Sequence, residues 1–257
     1  AGGWYLGLTR TAGRALLTLA IVLIGPLLAL FGQTYQTGAD TFELFRGWAL
    51  LALPWTLASC FAPAWLVWLG IVEIGLLAYV AAFDLWRVLW LGLVPQWLAA
   101  ALFNAALLLL WELAAQRVDW LRGRAGPRLL ALVTLGLLTG ITCLRIFGWH
   151  EQSFSSLAPL LWLLALAGGY VAYRVRGRDP GMLSLGWLSV TVVAMALLWR
   201  VLMALHAEGL GLLLGAAVLI GLSAYARNWL KDVAKEAADD RADGSNRNDG
   251  DRPERPR

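Results

Sequence analysis

Charge is scarce in this chain. Only 15% of its 257 residues are charged and 60% are hydrophobic, against about 25% charged in an ordinary soluble domain. Of the 38 charged residues, 21 basic and 17 acidic, 16 fall from Arg227 onward. The body that remains has too few polar side chains to cover itself in water, which excludes a soluble globular fold. Cysteine and histidine are scarcer still, at two each. Cys60 and Cys143 stand in or beside apolar segments with no CxxC, and are expected to be buried free thiols. His150 and His206 each end an apolar run without a second ligand at metal spacing, so neither metal nor cofactor is expected. Enzyme signatures are missing as well: there is no HExxH, no GxSxG with a following acid and histidine, and no phosphate or dinucleotide loop. The chain is expected not to be an enzyme.

Apolar runs are plentiful. A helix needs about 20 mainly apolar residues to cross about 30 Å of hydrocarbon. Eight candidates run from Ala15 to Phe31, Gly47 to Phe61, Ala64 to Phe83, Val88 to Trp111, Leu129 to Phe147, Leu157 to Tyr173, Met182 to Leu205 and Gly209 to Ala226. All should be helices, because an open sheet leaves backbone groups unsatisfied in lipid and no barrel-type alternation is present. The expected fold is an all-α, polytopic transmembrane bundle of about eight helices. The second and third spans form one run broken at Phe61-Ala62-Pro63-Ala64, since proline disfavours helix at the residue before it.

Eight spans place 17 of the 21 basic residues on the side holding both termini and leave Arg46, Arg87, Arg145 and Arg200 on the other. The positive-inside rule then puts both ends in the cytoplasm of a bacterial inner membrane. A seven-span reading scores 16 against 5, so the cytoplasmic C-terminus is fixed more firmly than the helix count. Arginines scattered among short loops argue against a nucleic-acid partner. The expected partners are the lipid bilayer and a membrane protein. Trp90 and Trp111 bracket the fourth span like interfacial anchors, and most of the 15 tryptophans fit such a belt. Gly168, Gly169, Gly209, Gly211 and Gly215 read as close helix packing. From Lys231 the chain carries seven basic and eight acidic residues and no aromatic. Residues 1–230 are therefore expected to form the membrane domain and 231–257 a disordered cytoplasmic tail.

Two groups of residues could carry function. One is the polar stretch Gly32 to Asp40 between the first two spans, where Gln33, Tyr35, Gln36 and Asp40 could form an outer cluster for a ligand or partner. Structure alone also accounts for it, with Asp40 or Thr41 capping the next helix and Glu43 at capping-box spacing from Asp40. The other group lies within the membrane. Glu73 sits near the middle of its span, the antiparallel fourth span brings Gln96 close to the same depth, and Arg200 could reach Glu73 or Asp84. An ionisable residue at that depth is costly unless paired or hydrated. Glu73 is therefore either a hydrogen-bonded structural acid or a site for a proton or small solute.

The segment Ala29-Leu30-Phe31, Gly32-Gln33-Thr34-Tyr35-Gln36-Thr37-Gly38-Ala39-Asp40, Leu44-Phe45, Gly47-Trp48-Ala49 and Leu53-Pro54 resembles the bacterial membrane proteins grouped as domain of unknown function 2157. The likeness runs from Leu27 to Leu57 and is only compositional beyond. It implies an inner-membrane protein of unassigned activity and carries over no catalytic residue. Members of that family carry a cytoplasmic segment and helices before this point, so with Ala1 in place of a start methionine the chain is expected to continue upstream. The reading favours a non-enzymatic structural or signalling partner protein, with a carrier using Glu73 as the alternative.

Overall fold

The computed structural model describes residues 11–36, 38, 40–83, 93–148, 157–176, 179–206 and 208–250. Among the described residues the fold is all helical: α1 Thr11–Tyr35, α2 Thr41–Ser59, α3 Ala62–Ala82, α4 Leu93–Ala115, α5 Ala125–Ile146, α6 Leu157–Tyr170, α7 Pro180–Ala204 and α8 Glu208–Gly250. A wide π-type turn, Val171–Arg176, continues α6. Seven of the eight helices are long and apolar enough to cross a membrane; α2 is the exception. Its 19 residues include Glu43, Arg46 and Pro54. Large apolar side chains lie open on these helices, Leu27 at 65%, Leu50 at 64%, Leu109 at 66% and Ile220 at 69%. Surfaces of that kind suit lipid and not water.

The chain forms two compact units, Ala1–Leu130 and Ala131–Arg257. In the first, α2 and α3 make an antiparallel hairpin. Phe42 lies against Tyr79 and Phe83 at one end, Phe45 against Gly75 further along, and the Trp68 indole donates to the Ala49 carbonyl at 2.9 Å. The hairpin turns where the sequence marks the break. Cys60 takes a left-handed conformation (φ 41°) and Pro63 falls in the first turn of α3, where its missing N–H costs no helical hydrogen bond. Cys60 is exposed at this turn, not buried as a lone thiol in an apolar run suggests, and Cys143 is half-buried.

Helix α1 packs on α2 through Trp48, whose indole N–H reaches the Ile21 carbonyl at 2.7 Å. The ring lies flat on Gly25, where a Cβ would meet its carbons at 2.4 to 2.5 Å. Trp111 repeats the device at the other end of the unit: it donates to the Leu121 carbonyl at 3.2 Å and covers Gly126. Trp111 is thus buried inside the protein and is not the interfacial anchor its position suggests, while Trp90 lies outside the described residues. An indole N–H has no water to bond within hydrocarbon, and a helical carbonyl retains a second lone pair that can accept it.

In the second unit α6 and α7 run antiparallel, with Leu166 beside Gly186 and Trp162 bonded to Ser189. So do α7 and α8, with Met195 against Gly215 and Trp187 against Tyr225 and Trp229. Gly211 and Gly215 sit at close contacts, as expected; Gly168 and Gly169 have nothing within 4 Å of a modest added side-chain atom. Helix α8 does not stop at the last apolar run. It continues to Gly250, so the stretch from Lys231, expected to be a disordered tail, is helical that far. The cause is tertiary: Trp229 stacks near Tyr170, Val233 is 1% exposed, and Glu236 takes two hydrogen bonds from Arg174 at 2.7 and 3.3 Å.

Candidate functional site

The polar contact at greatest depth lies between α3 and α4. Leu66 and Leu69 of α3 pack with Leu107, Leu108 and Trp111 of α4, an antiparallel register that brings the helix centres together. Glu73 is one residue from the middle of Ala62–Ala82, and Asn104 is the middle residue of Leu93–Ala115. The Asn104 amide Nδ2 donates to Glu73 Oε1 at 2.6 Å and to the Ala100 carbonyl at 3.0 Å. Asn104 is 1% exposed, whereas Glu73 is half-buried. The Ala100 bond fixes the amide on its own helix, so its second proton points at the carboxyl group.

Gln96 is not the partner of Glu73. It stands eight residues earlier on α4, about 12 Å along the axis at 1.5 Å per residue. The expected pairing counted α4 from Val88 to Trp111. The helix instead spans Leu93–Ala115, four to five residues later, and the register moves with it. Asn104 went unread although it is the lone polar side chain between Gln96 and Glu112. That isolation in an apolar run was the available signal, because a side-chain amide in hydrocarbon needs a partner. Arg200 lies in the second unit, exposed on α7, with a guanidinium nitrogen 3.8 Å from where a Cβ on Gly148 would stand. Asp84 falls outside the described residues.

The polar stretch does not form a cluster. Helix α1 runs on through Gln33 to Tyr35, Gln36 turns the chain with φ 47°, and Gly38 follows at φ 63°. Gln33, Tyr35, Gln36 and Asp40 are all exposed, and no hydrogen bond joins their side chains among the described residues. Tyr35 lies against Phe31 with ring centres 4.6 Å apart. Asp40 caps α2, its N–H donating to the Glu43 carboxylate at 3.3 Å. Thr37 and Ala39 lie outside the described residues.

Residues 1–65 match the family model described as Predicted membrane protein (DUF2157). The Leu27 to Leu57 segment that carries the resemblance falls inside this match, which covers α1, α2 and the first residues of α3. The protein is thus a membrane protein of several apolar helices, with its family likeness concentrated in the first hairpin. Glu73 and Asn104 lie beyond the match. No curated protein and no solved structure matches the chain.

A second polar junction, also unread in the sequence, ties three helices of the second unit. Ser189 of α7 lies 2.6 Å from the Thr139 hydroxyl of α5 and accepts the Trp162 indole N–H of α6 at 2.7 Å. All three residues are buried. Ser189 uses both its donor and its acceptor capacity here, which suits helix joining and leaves no free nucleophile. Among the described residues no group of three or more histidine, cysteine, aspartate or glutamate side chains could hold a metal ion.

Proposed function

We propose that this chain is a non-enzymatic interaction protein of the bacterial inner membrane, crossing it eight times with both ends in the cytoplasm. The observation that carries the reading is the buried Asn104 amide holding Glu73 at mid-depth. Polar groups within the spans join helix to helix here, at Trp48 and Ile21, and at Ser189, instead of lining a path. Eight crossings are supported by α2, which lies along α3 from Phe42 to Ser59 and so shares its depth despite its lower hydropathy. The Cys60 turn then falls on the same side as the start of α1 and as Arg117, Arg122, Arg124 and Arg128 around the α4 to α5 connection, the side that the positive-inside rule assigns to the cytoplasm.

A carrier for a proton or small solute is the second reading, favoured by one observation: Glu73 Oε2 has no hydrogen-bond partner among the described residues. Reconstitution separates the two. Liposomes containing the purified full chain and an internal pH dye should dissipate an imposed pH gradient no faster than empty liposomes. Rapid dissipation that Glu73→Gln abolishes would replace the interaction reading with the carrier.

A further inference from the structure

Glu73 offers one carboxyl oxygen to Asn104, while the other is neither hydrogen-bonded nor enclosed. The residue is half-buried, so the group reaches the outer surface of the helix pair. At mid-depth that surface meets hydrocarbon, which supplies neither donors nor acceptors. Oε2 needs a partner in either protonation state: a carboxylate takes a donor, and an acid requires an acceptor for its O–H. The exposed side of α3 around Glu73 carries Ile74 at 50%, Leu77 at 42%, and Gly70, where a Cβ would meet nothing within 4 Å. A neighbouring helix can approach closely over such a glycine.

We infer that two copies of this chain meet through the Gly70, Glu73, Ile74 and Leu77 face of α3, with the two Glu73 carboxyl groups hydrogen-bonded to each other across a twofold axis. The inference rests on the reading of the chain as an interaction protein. Two requirements select a second copy as the occupant. The partner must bring a hydrogen-bonding group at the same depth, and an identical helix in the same membrane does so automatically. It must also both give and accept, and two carboxyl groups sharing at least one proton are self-complementary, as an isologous contact requires. Each site is incomplete without the other copy.

Oxidative cross-linking of the full chain in liposomes, in a Cys60→Ser, Cys143→Ser background, tests this. Ile74→Cys should yield a covalent dimer, and Leu50→Cys, equally open but on α2, should yield little. Adding Glu73→Gln to Ile74→Cys should preserve the product, because an amide also donates and accepts. Adding Glu73→Leu should weaken association by about threefold to thirtyfold, the range of one interhelical hydrogen bond in a membrane. Gly70→Leu should do the same by blocking close approach while keeping the carboxyl group. It decides the question if Glu73→Leu fails to fold, since a side chain at Gly70 meets nothing within its own chain. Cross-linking from Ile74→Cys no stronger than from Leu50→Cys, or undiminished by Gly70→Leu, would overturn the contact. Proton flux in the reconstituted liposomes would overturn the interaction reading while leaving the cross-linking result standing, so the two failures are distinguishable.

Discussion

Gly25→Ala is expected to destabilise the protein by about 1 to 3 kcal/mol, the usual cost of inserting a carbon into a filled contact. Helix propensity alone predicts the opposite sign, since alanine in a helix interior is favoured over glycine by about 1 kcal/mol. Packing wins because the atoms a Cβ would strike belong to the Trp48 ring, at 2.4 to 2.5 Å. The ring cannot swing aside cheaply. Its N–H is bonded to the Ile21 carbonyl at 2.7 Å, and its other side is stacked near Phe45 with centres 5.6 Å apart. Gly70→Ala serves as the control, because open space there leaves only the propensity gain. Thermal unfolding in detergent, followed by tryptophan fluorescence, should place Gly25→Ala well below the parent and Gly70→Ala at or above it. Equal melting temperatures for the parent and Gly25→Ala would remove the α1 to α2 contact from the account.

The second large effect concerns Asn104. Asn104→Leu takes away the one hydrogen bond that Glu73 makes among the described residues and should cost about 1 to 3 kcal/mol, the penalty for stranding a polar group. Glu73→Leu strands less, because the Asn104 amide keeps its bond to the Ala100 carbonyl. Replacing both residues by leucine should recover most of the loss, since removing both partners of a buried polar contact is close to neutral. The cycle of the parent, both single variants and the double variant, read by denaturation in mixed micelles, should give a coupling of about 0.6 to 2 kcal/mol. A coupling indistinguishable from zero would mean that the two side chains do not act as a pair.

How much of this was legible depends on whether the deciding contact is local. The break between α2 and α3 was readable because Pro63 acts on its own neighbours. So was Asp40 as the cap of α2 with Glu43 three residues on. The register of α4 was not readable: residues 84–92 set where the helix begins, and a shift of four to five residues exchanges Gln96 for Asn104 opposite Glu73. The end of α8 was missed for a similar reason. Composition from Lys231 onward predicts no fold of its own, yet Val233 and Glu236 are held by contacts whose partners lie far away in sequence, Arg174 among them. Tryptophans were misread as a belt because composition gives their number and not their direction. Trp48, Trp68, Trp111 and Trp162 all point inward to an acceptor on another segment.

The central claim is a closed, membrane-embedded unit whose mid-depth carboxyl group is joined to a neighbouring helix and not to water. Labelling single cysteines with a membrane-impermeant maleimide tests it most directly, in vesicles of both orientations. With Cys143→Ser in place, the natural Cys60 at the exposed α2 to α3 turn should label from the cytoplasmic face alone. In a background lacking both natural cysteines, Gln36→Cys should label from the opposite face, and Glu73→Cys should label from neither. Labelling of Glu73→Cys as fast as that of Gln36→Cys would contradict the account, because it would place water at the level of Glu73 and open a path through the unit.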